Sequence, residues 1–201
     1  MKHYPIPCGK KMIDLNIPDG VSVQWVQSHG MAPVPDVKSA VEDALHHPIH
    51  SVRLRDLVKP GQTVVLIVTD ITRQLPEETI VPLLLEELKQ GGIRKEDITA
   101  VVATGTHRPN TTEELREKFG KIVDEISFLN HNSYNKEELV SLGTTKSGIP
   151  LVFNRTVARA DIRISTGVIE THLFAGYSGG AKSIAVGVAG EETIGATHIF
   201  R

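Results

Sequence analysis

The stretch Thr63-Val-Val-Leu-Ile-Val-Thr69, running on into Asp70-Ile-Thr-Arg73, decides the fold. An unbroken aliphatic run of mostly β-branched residues, with no polar alternation, suits a strand covered on both faces, as in a parallel sheet. The same pattern recurs downstream in Ile98–Thr104, Ile126–Leu129 and Ile162–Thr166. Helical segments separate these runs. Residues 76–90 carry Glu77 and Glu78 in a first turn, where acidic groups favour the helix dipole, and Gly91-Gly92 stops them. Thr111-Thr-Glu-Glu-Leu offers a capping box that opens a helix ended by Gly120, and Asn154 caps a short helix through Ala160.

The alternation predicts an α/β fold with a largely parallel, Rossmann-like sheet flanked by helices. Leu139–Thr144 and Pro150–Phe153, around Lys146-Ser-Gly148, add a small hairpin. Upstream, Val37, Ala40, Val41, Ala44 and Leu45 share one helical face, which Pro48 ends, and residues 51–58 form a short helix. The first thirty-five residues contain five prolines and read as short extended pieces. No linker or low-complexity tract interrupts the 201 residues, so residues 1–201 are expected to form a single α/β domain.

Composition narrows the partners. Lys plus Arg total 22 against 24 for Asp plus Glu, a net charge of −2, so no global field attracts nucleic acid or an anionic membrane. Aromatic residues are 4%, too few for a base-stacking surface. Cys8 is the single cysteine, which excludes an internal disulfide and any CxxC site. Residues 1–12 are polar and proline-broken, unlike a signal peptide, and Val64–Val68 is too short to span a bilayer. The expectation is a cytoplasmic protein with no nucleic-acid and no membrane partner.

In open parallel sheets, ligands bind beyond the carboxyl ends of the strands. Asp70-Ile-Thr-Arg73 follows the first run, Gly105-Thr-His107-Arg108-Pro109 the second, and Gly167-Val-Ile-Glu170-Thr-His172 the last. Each of these three runs ends in threonine, and the second and the last bend through a glycine. One rim thereby collects an Asp, an Arg and two His, a set suited to holding an anion and moving protons. His107 and His172 are expected in one cleft, at the ends of neighbouring strands. His46, His47 and His50 sit at a helix end, where solvation or the dipole accounts for them.

The glycine-rich segment Gly176-Tyr-Ser-Gly-Gly-Ala-Lys182-Ser183 approaches the phosphate-loop pattern GxxxxGK[ST], with Ala181 in place of the final glycine. Val64–Asp70 even resembles the apolar strand plus Asp that holds magnesium in such proteins. A nucleotide-binding protein is therefore one alternative. Close backbone packing is another reading of the same glycines.

Taken together, Asp70-Ile-Thr-Arg73, Thr104-Gly-Thr-His107-Arg-Pro109 and Glu170-Thr-His172-Leu-Phe-Ala-Gly-Tyr-Ser-Gly-Gly-Ala-Lys182-Ser183 resemble the amino-terminal domain of the nickel-dependent lactate racemase family. The resemblance runs from about Asp36 onward. It implies a nickel pincer cofactor, derived from nicotinic acid and carrying sulfur, tethered to Lys182 and ligated through nickel by His198. It also implies His107 and His172 as the acid/base pair, and Arg73, with Asp70 beside it, as the substrate-carboxylate site. Gly179 and Gly180 are expected to let the flat cofactor approach the backbone.

By that resemblance the partners are a 2-hydroxy acid of the lactate type, a second domain that completes the pocket, and the proteins that synthesise the cofactor. The reaction is racemisation by reversible hydride transfer from Cα. Members are about twice this length, so the chain is expected to be the amino-terminal half of a two-domain enzyme. Some members carry Arg where this chain has Ala181. A non-catalytic domain of the same fold that binds a small carboxylate or a partner is the competing reading.

Overall fold

The computed structural model describes residues 1–9, 11–26 and 30–199. Contacts cluster the chain into two units, Met1–Pro35 and Asp36–Arg201, a division that the sequence reading of one body across 1–201 does not make. In the first unit, β1 (Lys2–Cys8) and β2 (Lys11–Ile17) form an antiparallel hairpin in register from Lys2↔Ile17 to Cys8↔Lys11. Tyr4 stacks on Trp25 with ring centroids 5.5 Å apart.

The second unit opens with α1 (Val37–His46), capped by the Asp36 carboxylate on the Lys38 amide, and the single turn α2 (Leu54–Leu57). Then β3 (Val64–Val68), α3 (Glu77–Gln90), β4 (Ile98–Val102), α4 (Thr112–Phe119) and β5 (Ser127–Asn130) alternate as expected. The hairpin β6 (Leu139–Thr144) and β7 (Pro150–Asn154) leads through α5 (Arg155–Arg159) to β8 (Ile162–Ser165). The chain ends in a two-residue hairpin, β9 (Thr171–His172) with β10 (Gly176–Tyr177), then α6 (Ala181–Ala185) and α7 (Glu191–Ile199).

Four strands make one parallel sheet in the order β5-β4-β3-β8. Central β3 is wholly buried, and its side chains alternate between two cores. Val64, Leu66 and Val68 face Val81, Leu85 and Leu88 of α3 and Phe119 of α4. Val65 and Ile67 face Val157, Ala160 and Val188 on the other side. Two-sided burial is why the run shows no polar alternation.

The capping box at Thr111 is present in full: Thr111 Oγ1 accepts from the Glu114 amide, and the Glu114 carboxylate accepts from the Thr111 amide. Thr111→Ala removes one of these bonds, and denaturant unfolding should show a loss of about 1 kcal/mol. Among the described residues no helix is long and apolar enough to cross a membrane.

Candidate active site

The three loops beyond β3, β4 and β8 meet, with α6 and α7, around a cavity of about 170 Å³. Asp70, Arg73, His107, His172, Lys182 and His198 all line it. The two histidines share the cleft, but their strands are not neighbours, because β3 lies between β4 and β8. A parallel order is set by crossovers, so it does not follow the order along the chain. His172 also stands one step beyond the sheet, on the β9–β10 hairpin, with Gly176 paired opposite it.

Asp70 is buried, and its Oδ2 lies 2.6 Å from His107 Nδ1. Its Oδ1 accepts from the Thr72 amide and hydroxyl at 3.1 and 2.6 Å. Burial raises the Asp70 carboxyl, yet the bonds from Thr72 and His107 outweigh it and hold the group below its usual range. A carboxylate on Nδ1–H leaves His107 Nε2 as a free lone pair, the state of a general base.

His172 is built the other way. Its Nδ1 accepts from the Phe174 and Ala175 amides at 3.3 and 3.2 Å, so the neutral ring carries its proton on Nε2. Its pKa is lowered by desolvation and then by the positive charges of Lys182 and Arg73.

Arg73 has one side-chain hydrogen bond among the described residues, to Thr72 Oγ1 at 3.4 Å. Arg108, from the neighbouring loop, is instead turned to Glu114, with contacts of 2.8 and 2.5 Å. Of the two arginines, Arg73 is the one with a guanidinium available to an anion. Lys118 Nζ holds the Arg73 carbonyl at 2.6 Å from behind.

Lys182 is half-buried in the second position of α6. Its pKa is lowered by desolvation and by Arg73, against the opposing charge of Asp70. His198 on α7 places Nδ1 2.7 Å from the Ile194 carbonyl, to which it donates, leaving Nε2 as a lone pair.

The glycines divide. A Cβ on Gly179 would stand 2.9 Å from the Val168 carbonyl oxygen, and one on Gly167 2.8 Å from Gly179 Cα, so these two bring the β8 loop and the glycine-rich loop together. Gly180 (φ +49°) has open space where a Cβ would lie but is not among the residues lining the cavity. The glycine-rich segment begins with two-residue β10 and follows two-residue β9 rather than a buried sheet strand, so the phosphate-loop context is missing.

Sequence reasoning missed three polar groups behind the site. Glu77 is fully buried, and it accepts from Thr69 and Thr166 at two strand ends. His131, the residue after β5, is buried and donates through Nε2 to the Ala189 carbonyl at 2.8 Å. Thr104 Oγ1 donates to the His131 carbonyl at 2.7 Å, and the Gly105 amide to the Gly187 carbonyl at 2.9 Å. These bonds tie the His107 loop to the segment joining α6 and α7. The threonine ending each run was the signal for Glu77 and His131.

Residues 8–200 match the family model described as the lactate racemase N-terminal domain. The lactate racemase of Thermoanaerobacterium thermosaccharolyticum is 35% identical, over 98% of this chain and 47% of that protein. The lactate racemase of Lactiplantibacillus plantarum is 40% identical, over 80% of this chain and 38% of that protein. The solved apoprotein of the Thermoanaerobacterium enzyme superposes with a TM-score of 0.79, at 35% identity, covering 96% of this chain and 45% of that one. The chain thus spans about half the length, or less, of the curated relatives it matches.

Proposed function

The chain belongs to the family of lactate racemase N-terminal domains, and from that premise we propose that it carries the catalytic side chains of a racemase or epimerase of 2-hydroxy acids. The observation that carries this reading is the pair of imidazoles in one cavity, held in complementary tautomers, beside an arginine with no carboxylate partner among the described residues.

A guanidinium fork suits the substrate carboxylate, and Arg73 offers it. His107 Nε2 takes the hydroxyl proton, and Asp70 stabilises the imidazolium that forms. His172 lines the same cavity and, entering as the imidazolium, gives a proton from Nε2 to that oxygen in its other orientation, ending neutral as His107 ends protonated. Inversion needs such a group at each face, and roles exchange when the opposite enantiomer enters. The Cα–H of a hydroxy acid is a weak acid, and its departure as hydride, while a histidine takes the hydroxyl proton, avoids a carbanion.

The residues present fit a nickel pincer group tethered by Lys182. The lysine amine is held toward its neutral form, and His198 Nε2 is fixed as a metal-binding lone pair by the Nδ1 bond to Ile194. Among the described residues no cluster of three or more His, Cys, Asp or Glu could hold an ion, so further metal donors would come with the group itself. When bound, that group supplies the hydride acceptor. A second domain, the cofactor-synthesising proteins and a cytoplasmic location belong to the same proposal.

The test is to make the protein carrying this chain together with the cofactor-synthesising enzymes and nickel. Interconversion of L- and D-lactate and added mass on Lys182 are expected. Lactate binding without either result would favour the non-catalytic carboxylate-binding domain. Arg73→Lys keeps the charge and loses the fork, so KM for lactate should rise about tenfold or more. Unchanged KM and kcat would remove Arg73 from the carboxylate site.

A further inference from the structure

We infer that Glu77 is a positioning residue: its buried carboxyl fastens the carboxyl end of β3 to that of β8, and so sets the Asp70–Arg73 loop against the loop carrying His172. The inference rests on the racemase reading only for what those loops do.

Glu77 lies in the first turn of α3, where a carboxylate exposed to water would suffice for the helix dipole. Instead its exposure is 0%. Its Oε1 accepts from the Thr69 amide and hydroxyl, both at 3.0 Å, and from Thr166 Oγ1 at 2.9 Å. Thr69 directly follows β3, and Thr166 directly follows β8. The ladder between these strands has its last paired residues at Ile67↔Ser165, with one more bond from the Thr166 amide to the Ile67 carbonyl. Beyond that point Glu77 continues the connection. One residue further on, the two chains become the site loops, beginning at Asp70 and Gly167.

The chemistry of the clamp follows from its bonds. Oε1 receives three donors, while Oε2 is buried without a partner among the described residues. An ionised carboxylate there would have one oxygen desolvated and unpaired. The neutral acid, with its proton on Oε2, exchanges an unpaired buried charge for an unpaired hydroxyl, a smaller cost, and leaves Oε1 as a carbonyl-type acceptor. Burial acts in the same direction, raising the pKa against the bonds from Thr69 and Thr166 and the charge of Lys118. Lys118 does not neutralise the group by contact, since its Nζ is committed to the Arg73 carbonyl. A neutral acid accepting through one oxygen is matched in shape by glutamine. It is not matched by leucine, which would strand all three donors.

The experiment uses the full chain without cofactor, so it does not depend on turnover. Side-chain 13C resonances of glutamate, with Glu77 assigned by its loss in Glu77→Gln, should show a carboxylic acid at pH 7. Nitrogen resonances of the His107 and His172 rings report the site, and lactate is the probe ligand. Glu77→Gln should leave both rings and lactate affinity as in the parent. Glu77→Leu should shift both rings and weaken lactate about tenfold or more.

Thr166→Val removes one donor and keeps the other two, so it should move His172 more than His107 in a chain that still folds. A folded Glu77→Leu with parental rings and affinity would overturn the inference, as would Thr166→Val that leaves His172 unmoved. Glu77→Gln behaving like Glu77→Leu would overturn the neutral clamp. If the parent does not bind lactate, the racemase reading suffers, while the ring resonances still decide the role of Glu77.

Discussion

Lys182→Ala should leave the loaded protein with no covalently held cofactor and should reduce lactate racemisation to the rate of the solvent blank. A lysine bonds to an activated acyl group only through its neutral amine, and ordinary lysine, with a pKa near about 10.4, is almost wholly protonated at pH 7. The Lys182 pKa is lowered from that value for two reasons: partial burial, and the positive charge of Arg73. Intact-mass measurement separates loading from turnover. An alanine variant that still carries the added mass and still racemises would assign the tether to another residue. Arg73→Leu adds a sign test, because removing a like charge should raise the Lys182 pKa and slow loading at neutral pH.

The strands were legible because two-sided burial leaves an unmistakable trace: β3 has no polar residue to spend on solvent. The helices were legible from their ends, as at Thr111 and Gly120, where capping chemistry is local. The candidate site was legible because a parallel sheet sends every strand end to one rim, so Arg73, His107 and His172 could be collected without knowing strand order. Strand order itself was not legible. Nothing in residues 98–104 or 162–166 says that β3 comes between them.

Glu77 and His131 were hidden for a different reason. A charged residue in a first helical turn, or a histidine after a strand, looks the same whether solvent or a threonine hydroxyl satisfies it. Only the fold brings Thr69 and Thr166 to one carboxyl oxygen. Gly179 and Gly180 are adjacent and both have positive φ, yet only at Gly179 does the Val168 carbonyl also exclude a Cβ, while Gly180 has open space there. Sequence alone could not divide them.

Asp70→Asn should lower kcat/KM for both enantiomers by the same factor, about 10² to 10⁴. The buried carboxylate holds His107 with its proton on Nδ1 and its lone pair on Nε2. An asparagine amide can donate to Nδ1 and reverse the tautomer, an exchange that costs about 10⁴ in kcat in a Ser-His-Asp triad. Among the described residues His172 has no carboxylate partner, only two long amide contacts, so the two rings are not equivalent. It is tempting to expect that damage at His107 would slow one enantiomer alone. Thermodynamics forbids it. L- and D-substrate have equal free energies and share one path, so kcat/KM, which measures the highest barrier from free enzyme and free substrate, must stay equal for both. The inequality of the rings can appear only in how that loss divides between kcat and KM for each enantiomer. His107→Ala and His172→Ala should likewise each abolish interconversion in both directions. Progress curves started from each pure enantiomer, with ring tautomers read from nitrogen resonances, test this directly. Parental rates in Asp70→Asn, or a normal His107 tautomer beside a large loss, would remove Asp70 from its orienting role.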